Sequence, residues 1–175
     1  MTRSQAFASL IAAGGAALVV PASGHVTLET QQAAAGSYYR AVLKITHGCN
    51  GSPTVAIRIR IPESVVGAKP QPKPGWTVET VRQQLAQTHK DSEGRVVTES
   101  VREIQWTGGS LADEHYDEFV FWVRLPNNPG ETLHFPTVQE CREGIHRWIE
   151  IPGPRGSHHE LKEPAPQLKL LPKAR

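Results

Sequence analysis

Methionine is all but missing from this chain: the one copy is Met1, so no thioether is available to a metal beyond the first residue. Thioether sulfur is a typical Cu(I) ligand, and its lack points away from that ion. Cysteine is equally scarce, with Cys49 and Cys141 as the whole supply. Neither sign of charge is in excess, since 19 Lys and Arg face 17 Asp and Glu. A near-neutral chain gives no argument for nucleic acid or for an anionic membrane surface. Past Val20 no apolar run approaches the about 20 residues that a membrane helix needs. No Ser/His/Asp set and no paired carboxylates stand out. The Thr107-Gly108-Gly109 run follows no helix signature, so it is not a phosphate loop. These absences give no ground for an enzyme.

What is present begins at the N-terminus. Arg3 precedes an uncharged, mostly apolar run from Phe7 to Val20, and then Pro21-Ala22-Ser23-Gly24. A charged start, a short apolar core and small residues at the exit predict a secretory signal over residues 1–24, cleaved before His25. The alternative is an uncleaved anchor. Without Arg3 the count is 18 basic residues against 17 acidic ones. Residues 25–152 are long enough for one domain with a real core. From Gly153 to Arg175 the chain is rich in Pro, Lys and Glu and is expected to be an extended tail. In an oxidising space two distant cysteines predict a structural disulfide. Two free thiols or a metal-bound pair remain the alternatives.

Strict alternation marks strands with one buried face. Tyr39, Ala41, Leu43 and Ile45 share a face, as do Val55, Ile57, Ile59 and Ile61, and again Phe119, Phe121, Val123 and Leu125. Residues 77–81, 96–106, 133–139 and 145–151 are further candidates, with a short first strand at 25–28. Val81–Ala86 is a candidate helical turn. Gly- and Pro-rich stretches between the strands, including 47–53, 69–75, 107–110 and 126–130, set turns. Seven or eight short strands predict an all-β, immunoglobulin-like antiparallel β-sandwich. Trp76 and Trp106 fall at loop–strand joints, as loop packing or a partner surface. Trp122 reads as core or sheet surface.

A chain that starts at His25 carries an α-amine and an imidazole Nδ1 that can close one chelate ring on a metal. The amine has an ordinary pKa of about 8, so a metal can displace its proton near neutral pH. Two such nitrogens suit Cu(II), which tops the divalent first-row affinity order. The alternative is an ordinary first residue that happens to be histidine.

His25-Val26-Thr27-Leu28, Ala35-Gly36-Ser37, Ile61-Pro62-Glu63 and Pro74-Gly75-Trp76 carry a resemblance, as do Ile104-Gln105-Trp106-Thr107-Gly108-Gly109 and Gly144-Ile145-His146-Arg147-Trp148. In order and spacing they resemble the YcnI-like copper-binding domain, across about His25 to Ile151. The resemblance implies export, an immunoglobulin-like sandwich, and Cu(II) held by a single-histidine brace on His25 with Trp148 beside the metal. It also exposes a departure. The loop carboxylate of such domains falls on Gly48. His47 could supply a second imidazole instead, Glu29 could approach from elsewhere, or metal binding could be weak or absent. Trp148 is expected to cover the metal and tune it rather than bond to it; taken on its own it reads first as a core tryptophan. His158-His159 is a candidate adventitious site, and His115, His134 and His146 are left as loop or surface residues.

The expected function is therefore an exported, non-enzymatic Cu(II) protein of the periplasm or exterior, for copper buffering, trafficking or homeostasis. Its partners would be copper and another copper-handling envelope protein. Two alternatives stay open: a copper-dependent oxidase or monooxygenase, and an immunoglobulin-like adhesion or assembly module in which His25 is incidental.

Overall fold

The computed structural model describes residues 24–90, 93–153 and 156–173. The expected signal, up to Ser23, lies outside them. Twelve strands account for nearly all regular structure among the described residues. They are β1 (Thr27–Leu28), β2 (Gln32–Ala34), β3 (Tyr38–Ile45), β4 (Thr54–Arg60), β5 (Val66–Pro70) and β6 (Thr77–Lys90), followed by β7 (Val96–Leu111), β8 (Asp117–Arg124), β9 (Thr132–His134), β10 (Thr137–Cys141), β11 (Ile145–Trp148) and β12 (Gln167–Leu171). One short 3-10 turn, His158–Glu160, interrupts them.

Two antiparallel sheets face each other, ordered β1-β3-β8-β5 and β11-β10-β4-β7-β6. The alternating residues point into the gap. Ala41, Leu43, Ile45, Phe119 and Val123 of the first sheet and Ile57, Ile59, Ile104 and Trp106 of the second are wholly excluded from solvent. Each large side chain buried this way contributes on the order of 1.5–3 kcal/mol. Trp106 and Phe119 meet edge to face across the layers, 5.5 Å between centroids.

Several expectations change in detail. Val81–Ala86 is no helical turn: it lies inside β6, where pairing with β7 holds it extended. Its Arg, Gln, Leu and Ala favour helix, but propensity is a small term that pairing with a neighbouring strand outweighs. The 107–110 run is strand too, the end of β7. There Gly109 lies against the Trp76 indole, which leaves no space for a Cβ. Trp106 is core rather than a partner surface, whereas Trp122 is exposed and stacks on Tyr38. Val55 drops off the buried face where β4 and β7 slip register between Thr54 and Ala56.

The stretch beyond Gly153 also departs from a loose tail. Ala165, Leu168 and Leu170 are fully buried. β12 inserts between β2, parallel, and β9, antiparallel, to form a third sheet. Apolar Leu168 and Leu170 alternate with Gln167 and Lys169, so a short buried strand is hidden in a Pro/Lys-rich composition.

Candidate metal centre

The register of β1 on β3 builds the first half of the site. Thr27 pairs with Lys44 and Leu28 with Leu43. Continuing that antiparallel ladder by three residues sets Gly24 opposite His47, and the His47 Nε2 indeed meets the Gly24 carbonyl oxygen. The His25 nitrogen belongs to the same peptide unit. His47 Nδ1 donates to the Gly48 carbonyl, 2.6 Å away.

β11 supplies the other half. His146 and Trp148 are two residues apart on one strand and so share a face. Trp148 is buried, and three imidazoles surround its indole. Ring centroids lie 5.8 Å away for His25, 6.1 Å for His47 and 4.9 Å for His146. His47 and His146 are 5.6 Å apart and nearly perpendicular. The three histidines are each only partly buried.

Gln139 locks the halves together. It is fully buried in β10, where an unpaired amide would cost about 1–3 kcal/mol. Every arm of the amide is engaged. Its nitrogen donates to the His47 carbonyl (2.7 Å) and the Thr54 hydroxyl (2.8 Å), and its oxygen accepts the Trp148 indole N–H (3.0 Å). The indole N–H is therefore committed away from the imidazoles, and Trp148 presents only its ring to them. Two residues past His47, Cys49 is joined to Cys141 by a disulfide with Cα atoms 5.9 Å apart.

Gly48 is glycine for a steric reason. Cys49 and Ser52 exchange two backbone hydrogen bonds of 3.0 Å, which brings the Ser52 carbonyl into the space a Gly48 Cβ would need. A carboxylate does stand nearby, from the β7–β8 loop: Asp113 Oδ1 accepts the Gly48 N–H at 2.8 Å. Glu29 is exposed beyond the far end of β1 from His25. Its charge acts on Tyr39, whose hydroxyl is pushed up to about 12, chiefly by burial and secondarily by Glu29. The pair His158-His159 sits apart on the 3-10 turn, with His158 against the Ala165 carbonyl at 3.1 Å.

His25, His47 and Trp148 are thus brought together as the sequence suggested. His146, Gln139, Glu163 and Asp113 were missed. The two-residue spacing of His146 and Trp148 was a usable signal; Gln139 had none, being one polar residue in an alternating strand. Among the described residues, no three His, Cys, Asp or Glu side chains are grouped closely enough to enclose an ion. The donor chemistry still fits a metal that takes imidazole, such as copper, zinc or nickel. The His25 nitrogen adjoins the Gly24 carbonyl that His47 Nε2 meets. A cleft of about 890 Å³ elsewhere on the described surface shares no residue with this cluster. Its Arg102 is already spent on the carbonyls of Pro62, Glu63 and Val65 at 3.0–3.1 Å.

The chain is 29% identical over 111 residues to the copper-binding protein CutI of Bacillus subtilis (strain 168), covering 63% of this chain and 48% of that protein. It therefore spans about half of that relative's length. An uncharacterized protein from Nocardia farcinica, whose crystal structure has an immunoglobulin-like fold, superposes with a TM-score of 0.61 at 27% identity, over 84% of this chain and 98% of the other. The sandwich is accordingly immunoglobulin-like, and the resemblance to the YcnI-like domain holds. A family profile described as a domain of unknown function, DUF1775, matches residues 25–170. The chain belongs to that DUF1775 family.

Proposed function

We propose that this protein binds one Cu(II) per chain outside the cytoplasm, for copper buffering or transfer in the cell envelope, after cleavage between Gly24 and His25. The observation that carries this reading is the contact of His47 Nε2 with the Gly24 carbonyl, beside the peptide nitrogen of His25. Removing residues up to Gly24 does two things at one place. It turns the His25 nitrogen into a free amine, and it takes the carbonyl oxygen away from in front of His47 Nε2.

The residues then divide the work. The His25 amine and Nδ1 form the chelate, and His47 offers a further imidazole from the adjoining strand end. Trp148 floors the site with an apolar ring and limits water access, which shapes an ion it does not bond to. Gln139 fixes the His47 backbone and the Trp148 ring relative to each other. When bound, Cu(II) would supply a slowly reducible, nitrogen-preferring centre, with no methionine sulfur available to favour Cu(I). The copper-binding name of the Bacillus subtilis relative supports the choice of metal.

The deciding experiment compares three proteins: one that begins at His25, one with a single Ala before His25, and His25→Ala. Cu(II) titration should give one tight equivalent for the first and a loss of at least a hundredfold in affinity for both others. The extension keeps every side chain and displaces only the amine. Equal affinity for the extended protein would refute the chelate.

A further inference from the structure

We propose that His146 is a ligand of the same centre, presenting Nε2 to the metal because Glu163 holds its Nδ1. This rests on the reading of the His25 site above, and it fills the place of the carboxylate that the Ser52 carbonyl excludes at Gly48.

The argument starts from the hydrogen bond. His146 Nδ1 donates to Glu163 Oε1 at 2.7 Å. A neutral imidazole has one N–H and one lone pair, so a carboxylate at Nδ1 sets the lone pair on Nε2. A carboxylate behind a histidine is also the usual support of a metal-bound imidazole, fixing its ring and raising its basicity. Nε2 has no hydrogen-bond partner among the described residues.

Glu163 is itself well anchored. Its second oxygen accepts the Arg147 N–H at 2.9 Å, and its own N–H donates to Glu150 Oε2 at 2.9 Å. Next to it, Pro164 forms a parallel bridge with Glu150. Two hydrogen bonds thus hold the Glu163 side chain against β11, and its backbone is held by Glu150. Stability is a poor explanation for the arrangement. The His146 and Glu163 side chains are 24% and 32% exposed, and ion pairs that open to water contribute little. Orientation is what the arrangement accomplishes.

The distances agree. With metal–nitrogen bonds of about 2 Å, two imidazoles on one ion keep their centroids roughly 4.5–6.5 Å apart. His47 and His146 are 5.6 Å apart, and both rings border Trp148, as His25 does.

The test uses the protein that begins at His25, loaded with one equivalent of CuSO4 and measured by electron spin-echo envelope modulation, which detects the remote nitrogen of each equatorial imidazole. His146→Asn should remove one imidazole from the modulation and weaken Cu(II) binding at least tenfold. Glu163→Gln should keep the imidazole count but shift the remote-nitrogen quadrupole frequencies, because an amide replaces the carboxylate behind Nδ1. A purely structural ion pair would produce neither change. Thermal melts of both variants within a few degrees of the parent certify the fold. Superimposable modulation and affinity within twofold for His146→Asn overturn the proposal. The extended protein reports separately: if it keeps full affinity, the amine chelate fails, whatever His146 does.

Discussion

Gly48 shows how one residue can redirect a site. The turn closed by Cys49 and Ser52 occupies the volume of any side chain there, so the carboxylate expected in this loop has no room. Restoring it should harm the protein. Gly48→Asp is expected to destabilise by about 1–3 kcal/mol through overpacking, with no gain in Cu(II) affinity. Thermal melts beside copper titrations check this, and an unshifted melt with tighter binding would contradict it. The same residue marks the limit of reading side chains from sequence. Position 48 could be recognised as lacking an acid, but the reason lies in a carbonyl four residues on. His25, His47 and Trp148 were legible because their types carry chemistry. Gln139 was not, because its weight comes from complete burial and three hydrogen bonds that only the assembled sheets create.

Among the elements, the small sheet β2-β12-β9 was the least visible in advance, since three-residue strands leave little periodicity to detect. β3, β4 and β8 were legible because seven or eight alternating residues repeat one face. Pro136 divides the expected 133–139 strand into β9 and β10, which then serve different sheets. This small sheet also carries a pH response. His134, at the end of β9, has a buried Nδ1 with no hydrogen-bond partner. Burial, and secondarily the nearby His158, hold its pKa below the ordinary value. The unfolded chain regains the ordinary value of about 6.5. It then takes up a proton where the folded chain does not, so stability falls as pH drops through about 6.5 and levels off once the folded imidazole also protonates. Urea midpoints at pH 7.5 and 5.5 should differ more for the parent than for His134→Gln. Equal differences would remove His134 as the source.

Across the whole molecule, one covalent link ties the β3–β4 turn to the end of β10, closing a loop of 92 residues. On the chain-entropy account such closure is worth between about 4 and 5 kcal/mol. Replacing Cys49 and Cys141 together by Ala should lower the melting temperature by roughly 10–15 °C. It should also weaken copper binding, because the bridge fixes the loop bearing His47. A shift under about 2 °C would show that the bridge is redundant. The sandwich and this bridge were legible from alternation and cysteine count. The packed C-terminus was not, because composition concealed its period. That C-terminus sets an order of events. Lys169 pairs with Gln32, and Leu171 with Ala34, so the opening and closing segments of the domain are neighbouring strands. A ribosome delivers Gln32 137 residues before Lys169. Throughout synthesis the first histidines wait beside an unfinished sheet, and only the last strand completes the domain. The carboxylate that holds the His146 ring, from Glu163 in that same C-terminal segment, is therefore among the last contacts to form.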